Sequence, residues 1–143
     1  MRSWSSTEAG DALLRLRVRC FAAAVPVLVR LPLAALARVL EPARPRARAD
    51  AERRRRTGAA VEAVLGVRSP LVGTTCLTRA LTRYYFLRRA GAAVSLHFGV
   101  GVVGGAYAGH CWLTADGEPL RAARDPRPLF AETDRIAPRA GRG

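Results

Sequence analysis

The stretch CLTRALTRYYFLRRAG, residues 76–91, is followed directly by AAVSLHFGV, residues 92–100. In the first segment apolar residues recur at helical spacing, and Gly91 provides a stop at the carboxyl end. In the second segment apolar and polar residues alternate, which is typical of a half-buried strand. The change of period at Gly91 therefore predicts a helix followed by a strand.

Turn signals organise the chain after this strand. A cluster of four glycines between residues 99 and 105 indicates a hairpin turn or a bulge. The segment AYAGHCWLTA, residues 106–115, then reads as the returning strand. Asp116-Gly117 predicts a tight turn, and EPL, residues 118–120, begins a further short strand. We therefore expect the helix to pack on a small antiparallel sheet.

The residues before residue 76 favour further helices. Residues 7–40 have a helical apolar pattern, which Pro26 and Pro32 should kink or split. After a proline-rich break, a second helix is expected from Asp50 to Leu65. The fold class is thus α+β, with N-terminal helices before the core. We divide the chain into a helical region (1–60), a core (61–123) and a basic, proline-rich tail (124–143) that we expect to be loosely ordered.

Composition limits the classes of function. The chain has 143 residues, enough for one ordinary domain, and a net charge of +13 carried entirely by arginine. Such a charge favours an acidic partner, namely nucleic acid, an anionic membrane face or an acidic peptide. Prolines and arginines interrupt the apolar residues 20–40, which argues against a membrane span but leaves contact with a membrane surface open.

Cysteine usage and the amino-terminal residues bear on the compartment. The three cysteines, Cys20, Cys76 and Cys111, have neither disulfide-framework nor metal-site spacing, so a reducing cytoplasm is the simplest setting. The polar residues 1–10 do not resemble a signal peptide. The chain lacks lysine and a phosphate-binding loop, so direct use of ATP is not expected. No metal or cofactor is expected.

Cys76 is a candidate nucleophile. It stands in the first turn of the predicted helix, where unpaired N–H groups and the helix dipole favour a negative charge. A thiol in that place is a better nucleophile, and its own backbone N–H could stabilise an oxyanion. The alternative is an inert cysteine that packs as a small apolar residue.

His110 is a candidate general base. In an alternating strand it shares a face with Trp112, which could bury and orient the imidazole opposite a thiol. The alternative is a structural core histidine. His97, on the polar face of the preceding strand, is interpreted as a structural or surface histidine, with a substrate contact as the alternative.

Three segments together resemble a known family. They are GTTCLTRALTRYYFLRRAG (73–91), VSLHFGV (94–100) and AGHCWLTADGEPL (108–120). They are similar to the transglutaminase-like, papain-type cysteine peptidase domain of lasso-peptide maturation proteins, such as the C-terminal domain of microcin-processing protein B. The resemblance covers about residues 61–120 and implies a transglutaminase-like core.

The resemblance implies a role for each matching residue. Cys76 matches the nucleophile and His110 the base, and the two should face each other within hydrogen-bond reach. Cys111 stands where the family usually has alanine. The family's third residue, an aspartate on the next strand, falls here near Ala122. The carboxylates nearby are Asp125 and Glu118, ranked equal, and then Asp116, which is more often a turn former.

The implied function is removal of the leader from a lasso-peptide precursor, a ribosomally made and modified peptide, through a thioester. The implied partners are the precursor, a separate leader-recognition protein and the lasso cyclase. The apolar residues 21–40 are a candidate docking surface for these proteins, and no nucleic-acid partner is expected. Two alternatives remain: a non-catalytic basic module that binds an acidic partner or a membrane surface, and a transglutaminase-like acyltransferase that uses the same thioester.

Overall fold

The computed structural model describes residues 6–43, 51–67, 75–120 and 124–138. In these ranges four helices are followed by a four-stranded antiparallel sheet of order β3-β2-β1-β4. The elements are α1 (Ser6–Leu28), α2 (Leu33–Leu40), α3 (Ala51–Leu65), α4 (Cys76–Arg89), β1 (Val94–Val103), β2 (Ala106–Ala115), β3 (Glu118–Pro119) and β4 (Phe130–Ile136). The predicted α+β class and the order of helices before strands are confirmed.

Local signals fix both ends of α4. Thr75 caps the helix, since its Oγ1 accepts a hydrogen bond of 3.2 Å from the backbone N–H of Thr78. After the helix, Gly91 adopts a φ of 89°, a left-handed conformation that disfavours residues with a Cβ. Cys76 is therefore the first residue of the helix, as the sequence predicted.

The prolines divide the N-terminal helices as expected. Pro26 lies in the last turns of α1, and α2 begins directly after Pro32. The helix predicted to end at Leu65 is α3, while Asp50, its expected cap, lies outside the described residues. Among the described helices, none has both the length and the apolar character needed to cross a bilayer.

Helices α1 and α3 both pack against α4. Phe21 of α1 stacks on Tyr85 of α4 with ring centroids 4.2 Å apart. Arg83 of α4 donates two hydrogen bonds, of 2.7 and 3.0 Å, to the carboxylate of Glu62 in α3. This bidentate ion pair is partly buried, so it orients α4 more firmly than an exposed pair would.

The candidate docking segment, residues 21–40, contributes some apolar side chains to the core and exposes others. Val25, Leu36 and Leu40 are buried, while Val27 and Val39 are exposed. A docking role for this segment stays a prediction and would depend on its exposed residues.

The two faces of the sheet have different environments. The helix face, which packs on α4, carries buried apolar residues: Val94, Leu96, Cys111, Leu113 and Ile136. The outer face carries the residues that alternate with them, among them His97, His110 and Trp112. The predicted alternation in β1 and β2 is confirmed, and Gly104 and Gly105 form the hairpin turn between them.

Strand β4 lies in the region that was predicted to be a loosely ordered C-terminal tail. The expectation of loose order after residue 124 is wrong for Phe130–Ile136, because this segment pairs antiparallel with β1 and buries Ile136 in the core. The connection from β3 to β4 must cross β2 and β1, and Leu129 passes over Gly101 on the outer face. The division of the chain at residues 60 and 123 stays a prediction.

Two glycines of β1 permit close approaches on the outer face. A Cβ at Gly99 would lie 2.9 Å from Cζ3 of Trp112, and one at Gly101 would meet the carbonyl oxygen of Leu129. Both contacts are too close, so the indole and the crossing connection depend on the absence of side chains here.

We predict that Gly101→Ala lowers the free energy of unfolding by about 1–3 kcal/mol, because the new methyl group displaces backbone rather than a flexible side chain. Gly109→Ala is the matched control in the paired strand, where a Cβ meets nothing within 4 Å. Its effect should stay within about 0.5 kcal/mol. Urea unfolding of both variants measures the difference, and equal stabilities would contradict this account.

Candidate active site

A cleft of about 440 Å³ opens where the amino end of α4 meets β2. Its walls come from α4, from β2 and from the connection between β3 and β4. The lining residues are Cys76, Arg79, Ala80, Arg83, His110, Cys111, Trp112, Leu113, Leu120, Arg124, Asp125, Pro126, Leu129 and Phe130. Cys76 and His110, the two residues singled out from sequence, therefore line the same cleft.

The cleft forms at an open edge of the sheet. Strand β3 pairs with β2 only at Thr114 and Ala115, and the N–H of Leu120 bonds the carbonyl of Leu113. Among the described residues no strand covers β2 between Ala106 and Trp112 on that side. Side chains from both faces of the strand can therefore reach one cleft around this edge.

Cys76 is half-buried and contacts a second thiol. Cys111, which points from β2 to the helix face, packs in the same cluster as Cys76, and the two thiols interact. Burial, and next the neighbouring Cys76, raise the pKa of Cys111 far above the ordinary range. Cys111 therefore stays protonated and can donate its S–H toward the sulfur of Cys76.

His110 lies on the outer face between two aromatic rings. Its imidazole stacks on Phe130 with centroids 4.8 Å apart and faces Trp112 at 6.1 Å. Burial among these rings lowers the pKa of His110 below its ordinary value of 6.5. The imidazole is therefore neutral at pH 7, the state that a general base requires.

Cys76 and His110 do not share a hydrogen bond in this structure. The thiol packs on the helix face beside Cys111, whereas His110 points to the outer face, one residue earlier in the strand. The structure therefore lacks the direct contact that the resemblance implies, because the thiol lies on the helix face of β2 and the imidazole on its outer face. Apo active sites often hold such pairs further apart than the reacting complex does.

The three candidate carboxylates lie in different places. Asp125 lines the cleft, but its carboxylate pairs with Arg127 at 2.7 Å. Glu118 is 79% exposed in its side chain and approaches Arg127 at 3.4 Å, and Asp116 is an exposed turn residue with a φ of 51°. None of the three bonds His110, so the third residue stays a prediction.

Comparison with known families gives one clear match. The model of the transglutaminase-like superfamily matches residues 12–133, from α1 into β4. The chain belongs to the transglutaminase-like superfamily. No curated protein and no solved structure gave a significant match. The superfamily fold is of the cysteine peptidase or acyltransferase type, and here its match includes Cys76, His110 and the first part of strand β4, which sequence patterns missed.

In this transglutaminase-like domain the other histidine, His97, forms hydrogen bonds outside the cleft. Nδ1 of His97 lies 2.8 Å from Oε2 of Glu132, and Nε2 lies 2.8 Å from Oγ1 of Thr114. His97 is buried and stacks on Trp112, with centroids 5.4 Å apart. These contacts fit the structural interpretation of His97. Sequence reasoning missed Glu132 because only the pairing of β4 with β1 brings it near.

The remaining candidate residues add no further site. Cys20 is exposed on α1, away from the residues that line the cleft. In the described parts of the chain no three metal-binding side chains converge. The reactive groups that line the cleft are a thiol at a helix start and a neutral imidazole.

We predict that the stability of the fold depends on pH through His110. Because its pKa is lower in the folded than in the unfolded chain, the neutral imidazole contributes stability that is complete above pH 6.5. That contribution is lost as the pH falls below 6.5 through the lowered pKa. Urea unfolding at pH values on both sides of 6.5 should show a shallower acid decline for His110→Gln than for wild type. Identical declines would contradict the burial of His110.

Proposed function

We propose that this transglutaminase-like domain is a cysteine peptidase that removes the leader from a ribosomally made, lasso-type precursor peptide. Cys76 is the nucleophile and His110 the base. The observation that carries the proposal is the shared cleft, whose lining includes both a half-buried thiol at a capped helix start and a neutral imidazole.

The first chemical step is attack on the scissile carbonyl. The Cys76 sulfur forms a bond to the carbonyl carbon while His110 takes the thiol proton. The unpaired backbone N–H groups at the start of α4 are placed to stabilise the oxyanion that develops. Collapse of this intermediate breaks the C–N bond, and His110 gives its proton to the leaving amine.

The second step releases the acyl group. Water, deprotonated by His110, attacks the thioester and returns the Cys76 thiol. Transfer of the same acyl group to an amine instead of water would be acyltransferase chemistry. The two outcomes differ in the mass of the product, so one assay can separate them.

The proposal requires a movement of His110. Because the imidazole stacks on Phe130 at the outer face, it must rotate about its Cα–Cβ bond toward the open edge of β2 to meet Cys76. Rotation of a half-buried ring is a small change compared with a shift of backbone. A peptide in the cleft would favour this rotation by filling the space that the ring leaves.

The leader-peptidase part of the proposal rests on the sequence resemblance. The segments around Cys76, His97 and His110 are similar to those of lasso-peptide maturation proteins, in the same order along the chain. The resemblance also suggests that a separate protein recognises the leader, and we include this partner in the proposal. The cyclase is a second partner, and the setting is the reducing cytoplasm.

We predict that a precursor peptide incubated with the domain and its leader-binding protein is cut by wild type and left intact by Cys76→Ala. Mass spectrometry of the products measures the cleavage. Cys20→Ser is the matched control, because Cys20 is exposed on α1 and should be dispensable. Cleavage by Cys76→Ala at the wild-type rate would rule out the proposed nucleophile.

We further predict that Asp125→Asn slows cleavage several-fold, whereas Glu118→Gln and Asp116→Asn leave it close to wild type. Of the three carboxylates, only Asp125 lines the cleft with His110, and it would orient the imidazole after release from Arg127. Single-turnover rates of the three variants compare them directly. A larger loss in Glu118→Gln would assign the role to Glu118.

A further inference from the structure

We propose that the cleft selects a substrate with a carboxylate next to the scissile bond, and that Arg79 is the residue that binds this carboxylate. The inference rests on the proposed function, since it takes Cys76 as the reacting sulfur. It adds a substrate class, a peptide with an acidic side chain at the cleavage site.

Arg79 lies one helical turn from the nucleophile. It follows Cys76 by three residues in α4, so the two side chains leave the same face of the helix with Cβ atoms about 5–6 Å apart. Arg79 is half-buried and lines the cleft together with Cys76 and His110. A substrate group that binds the guanidinium of Arg79 would therefore lie within about one residue, along the peptide, of the carbonyl group that the Cys76 sulfur attacks.

Some of the charged side chains that line the cleft form ion pairs with other described residues, and others do not. Arg83 is held by the carboxylate of Glu62, and Asp125 is held by Arg127. Within the described chain, the guanidinium groups of Arg79 and Arg124 form no hydrogen bond or ion pair. The carboxylate that lines the cleft is thus already neutralised, and two positive charges in its walls are not.

Uncompensated guanidinium groups in a concave site create a positive potential there. A guanidinium also matches a carboxylate geometrically, because two parallel N–H groups can bond its two oxygens. Binding of this kind, close to the reacting atoms, would fix the scissile carbonyl over Cys76. Arg79 lies on the same helix as Cys76, whereas Arg124 lies in the connection before β4. The side chain of Arg79 is also less exposed than that of Arg124, so we assign the main contact to Arg79.

Alkylation of Cys76 tests this assignment without the natural substrate. Iodoacetate and iodoacetamide react alike, since the sulfur displaces iodide and forms a thioether, but only iodoacetate carries a carboxylate. The full chain with Cys20→Ser removes the exposed competing thiol, and Cys111 stays protonated and buried. The ratio of the two rate constants at Cys76, followed by mass spectrometry, then reports selectivity for the anion.

We expect Arg79→Gln to lower the iodoacetate-to-iodoacetamide ratio several-fold and Arg79→Lys to lower it less. Arg38→Gln is the control, since it removes the same charge from an exposed position of α2 outside the cleft. High salt should reduce the wild-type ratio toward that of Arg79→Gln. An unchanged ratio in Arg79→Gln, or an equal fall in Arg38→Gln, would overturn the assignment.

The same reagents separate this inference from the proposed function. His110→Ala should slow both reagents by the same factor and leave their ratio unchanged. If His110→Ala slows neither reagent, the Cys76–His110 mechanism fails, whereas the ratio in Arg79→Gln still decides the role of Arg79. Circular dichroism of each variant shows whether it is folded, and Arg124→Gln provides a second variant of the same cleft with a smaller expected fall.

Discussion

The packing of α4 on the helix face of the sheet determines where the reactive thiol lies. Three apolar residues of α4 pack against the strands: Leu77, Ala80 and Leu81. The helix begins at Cys76, which lies beside Cys111 of β2. The contact between the two thiols marks the point where the helix start meets β2. If this packing were lost, the sulfur and the unpaired N–H groups at the helix start would leave the cleft together. The core thus has a direct part in the proposed chemistry.

The edge of β2 gives the second constraint. A strand sends successive side chains to opposite faces, so His110 and Cys111 cannot both point at α4. In the middle of a sheet this would place the imidazole and the thiol in separate compartments. Here β3 is short and leaves the strand open beside them, so one cleft includes both faces. The shortness of β3 is therefore as important for the site as the identity of its residues.

The parts of the structure that sequence predicted are those with local causes. The stop at Gly91 and the turn at residues 104 and 105 depend on neighbouring residues, and each was found where expected. The helix start at Cys76 was also expected, and its cap at Thr75 is equally local. Strand β4 could not be found this way, because FAETDRI is mostly exposed and its pairing partners lie roughly thirty to forty residues earlier, in β1. The bond between His97 and Glu132 and the contact between Cys76 and Cys111 were missed for the same reason. Composition also overstated the free positive charge, since Arg83, Arg88 and Arg127 are held in ion pairs.

The stack on the outer face gives the protein an optical signal of its own. The indole of Trp112 lies between the imidazoles of His97 and His110, at 5.4 and 6.1 Å. A protonated imidazole quenches the emission of a nearby indole more strongly than a neutral one, and a ring that rotates away quenches it less. The intrinsic fluorescence of Trp112 is therefore sensitive both to the charge of its neighbours and to the departure of His110 toward the cleft. The indole of Trp112 can therefore report the movement of His110, because the two rings are neighbours in the stack.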